Sequence, residues 1–121
     1  MNASRLVSAA ALSCGLLTIA TTAHAVTAVT GTVQQMQSVG GGANAPGNGD
    51  LRIWINGVSS MCPGAIDGTW AFINSNDPNF KGVLTTITTA YVMGKPLTLY
   101  NIPSTIGAGA YCQIAWVVLG S

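Results

Sequence analysis

From Val26 to Met36 the chain is rich in Val and Thr, with Ala28 and Thr30 on one side and Val29, Gly31 and Val33 on the other. That alternation predicts a first strand. Val39 to Gly49 holds Gly40, Gly41, Gly42, Gly47 and Gly49 with Pro46, the composition of a flexible loop. Asp50 to Asn56 then alternates cleanly. Leu51, Ile53 and Ile55 fall on one face and Arg52, Trp54 and Asn56 on the other, which is a half-buried second strand. A connection carrying Cys62 and Pro63 runs from Gly57 to Gly68, and Thr69 to Asn74 is a short aromatic third strand.

Pro78 to Met93 is rich in Thr and Val, yet its period is helical. Phe80, Val83, Leu84, Ile87, Ala90 and Tyr91 share one helical face. Asp77 stands where an N-cap belongs, Pro78 in the first turn, and Gly94 with Pro96 where the helix should stop. The opposite face, with Gly82, Thr85, Thr86, Thr89, Val92 and Met93, carries no charge after Lys81. A helix facing bulk water normally does, so this face is expected to be a second packing surface.

Leu97 to Ile102 is a fourth strand and Pro103 to Tyr111 a loop. Cys112 to Leu119 is a fifth strand. Cys112, Ile114, Trp116 and Val118 share one face and Ala115, Val117 and Leu119 the other, so it is expected to be covered on both sides. The order β-β-β-α-β-β predicts a mainly β fold with one α-helix, a five-stranded OB-fold-like barrel.

Residues 1–25 add an export signal to this picture. Arg5 precedes an apolar stretch from Leu6 to Ala20, and Ala23-His24-Ala25 fits a signal-peptidase site. The stretch is too short and interrupted to span a membrane, so no stable membrane insertion is expected. Ala11-Leu12-Ser13-Cys14 faintly resembles a lipoprotein site but lacks its leading Leu, and the cut after Ala25 is preferred. The mature chain, 26–121, is then one secreted or periplasmic domain.

Removing the leader changes the chemistry. Cys62 and Cys112 remain and are expected to pair in an oxidising compartment, a bridge worth about 4 kcal/mol. His24 leaves with the leader, and the domain has no Glu. Its charges are Arg52, Lys81 and Lys95 against Asp50, Asp67 and Asp77. Without a basic cluster, nucleic acid is not an expected partner. Without imidazole or free thiol, neither catalysis nor a transition-metal site nor a cofactor is expected. Asp50 and Asp67 suit turn roles, although oxygen-only calcium binding near Asn48-Gly49-Asp50 stays open. So few charges fit a surface partly covered by copies of the same chain.

Binding has better material. Trp54 stands between Arg52 and Asn56 on the outer face of the second strand, either as a ligand contact or packed on the helix or a subunit boundary. Tyr100 alternates against Leu97 and Leu99 and is the fourth candidate contact, although an edge-strand or interface role is the preferred reading for it. Trp70 and Trp116 read as core or interface, and Tyr111 as packing near Cys112.

Several short segments resemble the B subunits of AB5-type bacterial toxins of the subtilase-cytotoxin and typhoid-toxin group. They are Thr30-Gly31-Thr32-Val33, Asp50-Leu51-Arg52-Ile53-Trp54-Ile55, Ala90-Tyr91-Val92-Met93-Gly94-Lys95, Pro96-Leu97-Thr98-Leu99-Tyr100 and Tyr111-Cys112-Gln113-Ile114. The resemblance implies a secreted, non-catalytic subunit in a homopentameric ring, helices lining its pore, recognition of host-cell glycans and a catalytic A-type partner. The glycine-rich loop at 40–49 departs from the family pattern, so no sugar-contacting residue carries over from the family. The alternative is a periplasmic OB-fold envelope protein that binds a small ligand or a protein.

Overall fold

A computed structural model of the chain describes residues 25–40, 50–106 and 109–120. The expected leader (apart from Ala25), Cys14 and residues 41–49 of the expected glycine-rich loop lie outside them.

Six strands and one helix follow in the order β1 (Thr27–Gly31), β2 (Val33–Ser38), β3 (Leu51–Ile55), β4 (Asp67–Ile73), α1 (Phe80–Met93), β5 (Leu97–Ile106) and β6 (Gly109–Leu119). They form one sheet of spatial order β1-β5-β6-β4-β3-β2, antiparallel except for the parallel pair β4–β6. The class is therefore mainly β with one helix, as expected, but with six strands and not five. The first expected strand is divided at Thr32. Its first part pairs with β5 and its second with β3, so one continuous segment supplies both ends of the sheet. The two ends are not paired with each other, and the sheet does not close into a barrel.

The division follows from packing. A side chain on Gly31 would meet Ile55 Cγ2 at 2.6 Å, so the chain passes close over the end of β3 only because this residue has none. Asn56 fastens the passage, its amide donating to Thr32 O and its side-chain Nδ2 to Thr32 Oγ1, both at 2.9 Å.

One face of the sheet packs against α1. Leu51, Ile53 and Ile55 of β3, Ala71 and Ile73 of β4, and Leu97 and Leu99 of β5 meet Val83, Ile87 and Ala90 of the helix. Met61 and Cys62 tie the 57–66 connection into this core, and a Cys62–Cys112 disulfide joins that connection to β6, as expected. Asn101, fully buried, donates from Nδ2 to Met61 O at 3.1 Å. That bond pins the same connection to β5.

The helix begins at Phe80, two residues later than expected. Asp77 is not its cap. Its Oδ1 accepts from the Asn79 amide at 2.8 Å and its carbonyl from Phe80, so it closes the turn before the helix. The C-terminal expectation holds. Gly94 is left-handed at φ 60°, with its amide donating to Tyr91 O and that of Lys95 to Ala90 O, a Schellman arrangement. Tyr91, assigned to the buried face, is exposed instead, because it follows Ala90 around the edge of the contact with the sheet.

The last two strands run further towards each other than expected, across most of the predicted 103–111 loop, in a long antiparallel hairpin. The expectation for β6 is also corrected. Tyr100 faces Trp116 while Asn101 faces Ile114, which leaves Ala115 as an extra, bulged residue. The bulge reverses the alternation: Cys112 and Ile114 point to the core, whereas Trp116 and Val118 point out and Val117 turns in. This half of the strand is not covered on both sides.

Candidate functional site

The sheet face turned away from α1 carries a second apolar layer. On β4, Ala71 and Ile73 belong to the main core, so by alternation Trp70 and Phe72 lie on the other face, yet both are buried. Arg52 pairs with Phe72 across the β3–β4 ladder, and Asp67 faces Tyr111 across β4–β6. These registers gather Arg52, Trp54, Trp70, Phe72 and Tyr111.

Trp70 is the centre of the group. The guanidinium carbon of Arg52 lies 4.5 Å from the indole centroid. Tyr111 stacks on Trp70 at 5.4 Å with 23° between planes, Phe72 meets it edge-on at 6.2 Å, and Trp54 is tilted at 6.4 Å. The indole is held by Asp67, whose Oδ2 accepts from Trp70 Nε1 at 2.8 Å. Asp67 Oδ1 accepts from the hydroxyl and amide of Thr69 at 2.7 and 3.1 Å. The Thr69 hydroxyl above all, together with its amide, the Trp70 indole and the charge of Arg52, keeps the Asp67 carboxyl below its ordinary range, outweighing partial burial. Asp67 thus makes the turn contact expected from Asp67-Gly68, through the Thr69 amide, and in addition clamps Trp70. Arg52 Nε is buried and has no hydrogen-bond partner among the described residues.

The expected contact residues divide. Arg52 and Trp54 meet at Trp70. Asn56 is exposed but spends its side chain on Thr32. Tyr100 stacks on Trp116 at 4.6 Å and 15°. Trp116 is five positions beyond Tyr111 on β6, a separation of roughly 16 Å along an extended strand. Reading the sequence missed Trp70 as the hub, with Tyr111 and Asp67. A signal was present, since Trp70 and Phe72 alternate against Ala71 and Ile73 and so place two large rings on one face.

The group offers an aromatic surface edged by one delocalised cation. Asp67 is fully engaged by Thr69 and Trp70. Asp50 caps the Ser75 turn, and the Ser75 hydroxyl and amide keep its carboxyl low. Among the described residues, no three His, Cys, Asp or Glu side chains converge as a metal site.

The outer helix face is exposed in the single chain and free of charge beyond Lys81. Thr85, Thr86 and Thr89 turn their hydroxyls back onto the carbonyls of Lys81, Gly82 and Thr85, at 2.8, 3.0 and 2.8 Å. Their methyl groups, with Val92 and Met93, then dominate a surface whose polar groups are satisfied internally. Comparison with family models, curated proteins and solved structures finds no match to this chain.

Proposed function

We propose that this chain is an exported, non-catalytic binding subunit that recognises a cell-surface glycan on the outer sheet face around Arg52, Trp54, Trp70 and Tyr111. The observation that carries this reading is the cluster of aromatic rings around Trp70 with the Arg52 guanidinium over it, 4.5 Å from the ring centroid. A pyranose presents an apolar C–H face and a rim of hydroxyls, which suits an aromatic surface with a planar cationic edge. Burial holds Trp70 in place as the base of this surface, while Trp54 and Arg52 remain partly accessible.

The subunit works as a homo-oligomeric ring, as in the toxin B subunits that its segments resemble, with a catalytic A-type chain as its companion. The uncharged, back-bonded threonine face of α1 supports this assembly, since copies can pack there without desolvating a charge. The OB-type description goes with it. Counting Thr27–Ser38 as one bent strand, shared by β5 and β3, reduces the six strands to five, with the parallel β4–β6 pair and the helix between β4 and β5.

The test is a glycan array probed with the oxidised protein, together with its Arg52→Ala and Trp54→Ala variants. Binding to a defined set of glycans, lost in both variants, is the expected result. Absence of any glycan signal, or full retention by both variants, overturns the assignment.

A further inference from the structure

β3 ends in an exposed turn, Ile55-Asn56-Gly57-Val58, closed by the Val58 amide on Ile55 O at 3.2 Å. Gly57 has a φ of 74°, and a side chain there would meet nothing within 4 Å. We propose that Asn56-Gly57 is a site of self-modification, at which the folded protein converts Asn56 to aspartate and isoaspartate and thereby loosens the crossing at Thr32.

The chemistry needs a carboxamide, a neighbouring backbone nitrogen able to reach it, and water. The Gly57 nitrogen attacks Cγ of Asn56 and loses its proton, and the side-chain nitrogen leaves as ammonia, closing a succinimide. Water then opens the ring. Breaking the new bond from nitrogen to Cγ gives aspartate, whereas breaking the original bond to the Asn56 carbonyl carbon gives isoaspartate, with the main chain rerouted through Cγ. Glycine favours the step because it has no side chain to obstruct the ring and the widest range of backbone angles.

Comparison with the other described asparagines singles out Asn56. After Asn74, the Ser75 amide is spent on Asp50 Oδ2 at 2.6 Å. After Asn76, the Asp77 amide is spent on Asn74 O, and after Asn79 the Phe80 amide on Asp77 O, both at 3.0 Å. Asn101 is wholly buried in the β5–β6 hairpin. The Gly57 amide donates to no described residue, and both Asn56 and Gly57 are exposed. The bond from Asn56 Nδ2 to Thr32 Oγ1 must open first, which costs little for a pair in contact with water.

The position gives the reaction its consequence. Both products lose the Nδ2 donor that Asn56 gives Thr32. Isoaspartate also adds a carbon to the main chain inside the turn, beside the Asn56 amide that holds Thr32 O at 2.9 Å. These are the bonds that fasten the segment where it passes from β5 to β3, so the product holds that segment less firmly than the parent.

The experiment holds the folded, oxidised protein for several days in mildly alkaline buffer at body temperature, then digests it for tandem mass spectrometry. Cleavage after Arg52 separates Asn48-Gly49 from Asn56-Gly57. Asn56 is expected to gain about 1 Da at least roughly tenfold faster than Asn74, Asn76, Asn79 or Asn101. Isoaspartate methyltransferase should label the same peptide, and Asn56→Gln, folded by circular dichroism, should lose the label. The fraction modified at residue 56 alone, isolated by anion exchange through its added carboxylate, should unfold at a lower urea midpoint. A rate at Asn56 no greater than at the other four overturns the proposal, as does reaction only after unfolding in urea. An unchanged midpoint in the isolated product overturns the loosening. None of these readouts involves a ligand, so failure here is distinct from failure of the glycan face at Arg52.

Discussion

Arg52 lies over Trp70, with its guanidinium carbon 4.5 Å from the ring centroid, and Asp67 grips the same indole through its Nε1 proton. A cation and an anion thus act on one aromatic ring from β3 and β4, and the same ring stacks on Tyr111 of β6.

Arg52→Ala removes both the cation and the aliphatic stem that covers the indole. A loss of about 1 kcal/mol is expected, read as a lower urea midpoint with unchanged slope. Arg52→Lys should recover only part of it, because an ammonium cannot stack as a plane. Equal stability of the parent and both variants would remove the energetic role of the pair.

The Asp67 clamp predicts a pH dependence. The folded state favours the carboxylate, so its contribution is complete above the ordinary carboxyl pKa and is lost as pH falls through the lowered folded value. Asp50, held low by Ser75, has the same sign. Stability should therefore decline below about pH 4. Asp67→Asn should flatten that decline, measured as denaturant midpoints across an acid series. An equally steep decline in the variant would place the titrating group elsewhere.

Reduction of Cys62–Cys112, or Cys62→Ala with Cys112→Ala, frees a loop spanning a separation of 50 residues. A loss of about 4 kcal/mol is expected on the chain-entropy model. For a domain this small that is a large share of total stability, and thermal melts with and without reductant measure it.

Gly31→Ala drives a methyl group against Ile55 Cγ2 at 2.6 Å, and Ile55 is buried with little room to retreat. A cost of about 1–3 kcal/mol is expected from overpacking, read from the unfolding midpoint. Gly82→Ala, with open space around it, should instead stabilise by about 0.5–1 kcal/mol.

If copies pack through α1, Thr85→Glu with Thr89→Glu places like charges into every copy of the interface. Sedimentation should then change from ring to monomer while circular dichroism stays constant. An unchanged particle mass would move the interface off this helix.

Most of the fold was legible where periodicity alone decides it. Leu51, Ile53 and Ile55 point inward, Arg52 and Trp54 outward, and Gly94 ends the helix, all as their spacing predicts. Local pattern failed wherever a long-range contact changed the phase. The Ala115 bulge is set by pairing with β5, and no residue within β6 announces it; without it Trp116 and Ile114 would share a face. The break at Thr32 depends on β5 and β3 together. Asp77 carries a good capping side chain but stands two residues before the N-cap position, Asn79. For the candidate site, Arg52 and Trp54 were visible from alternation. Their meeting with Trp70 and Tyr111 was not, because it depends on the order of β3, β4 and β6 across the sheet. Tyr100 was selected by the same alternation rule and lies with Trp116 instead, since β5 is on the far side of β6.

The shared segment Thr27–Ser38 has a consequence for how the molecule can come apart. Peeling away this one stretch would bare the hydrogen-bonding borders of β5 and β3 in a single event, and both borders can accept the same stretch from another copy. This shared segment is therefore also a natural point of strand exchange, where two chains could trade N-terminal segments without inventing a new contact.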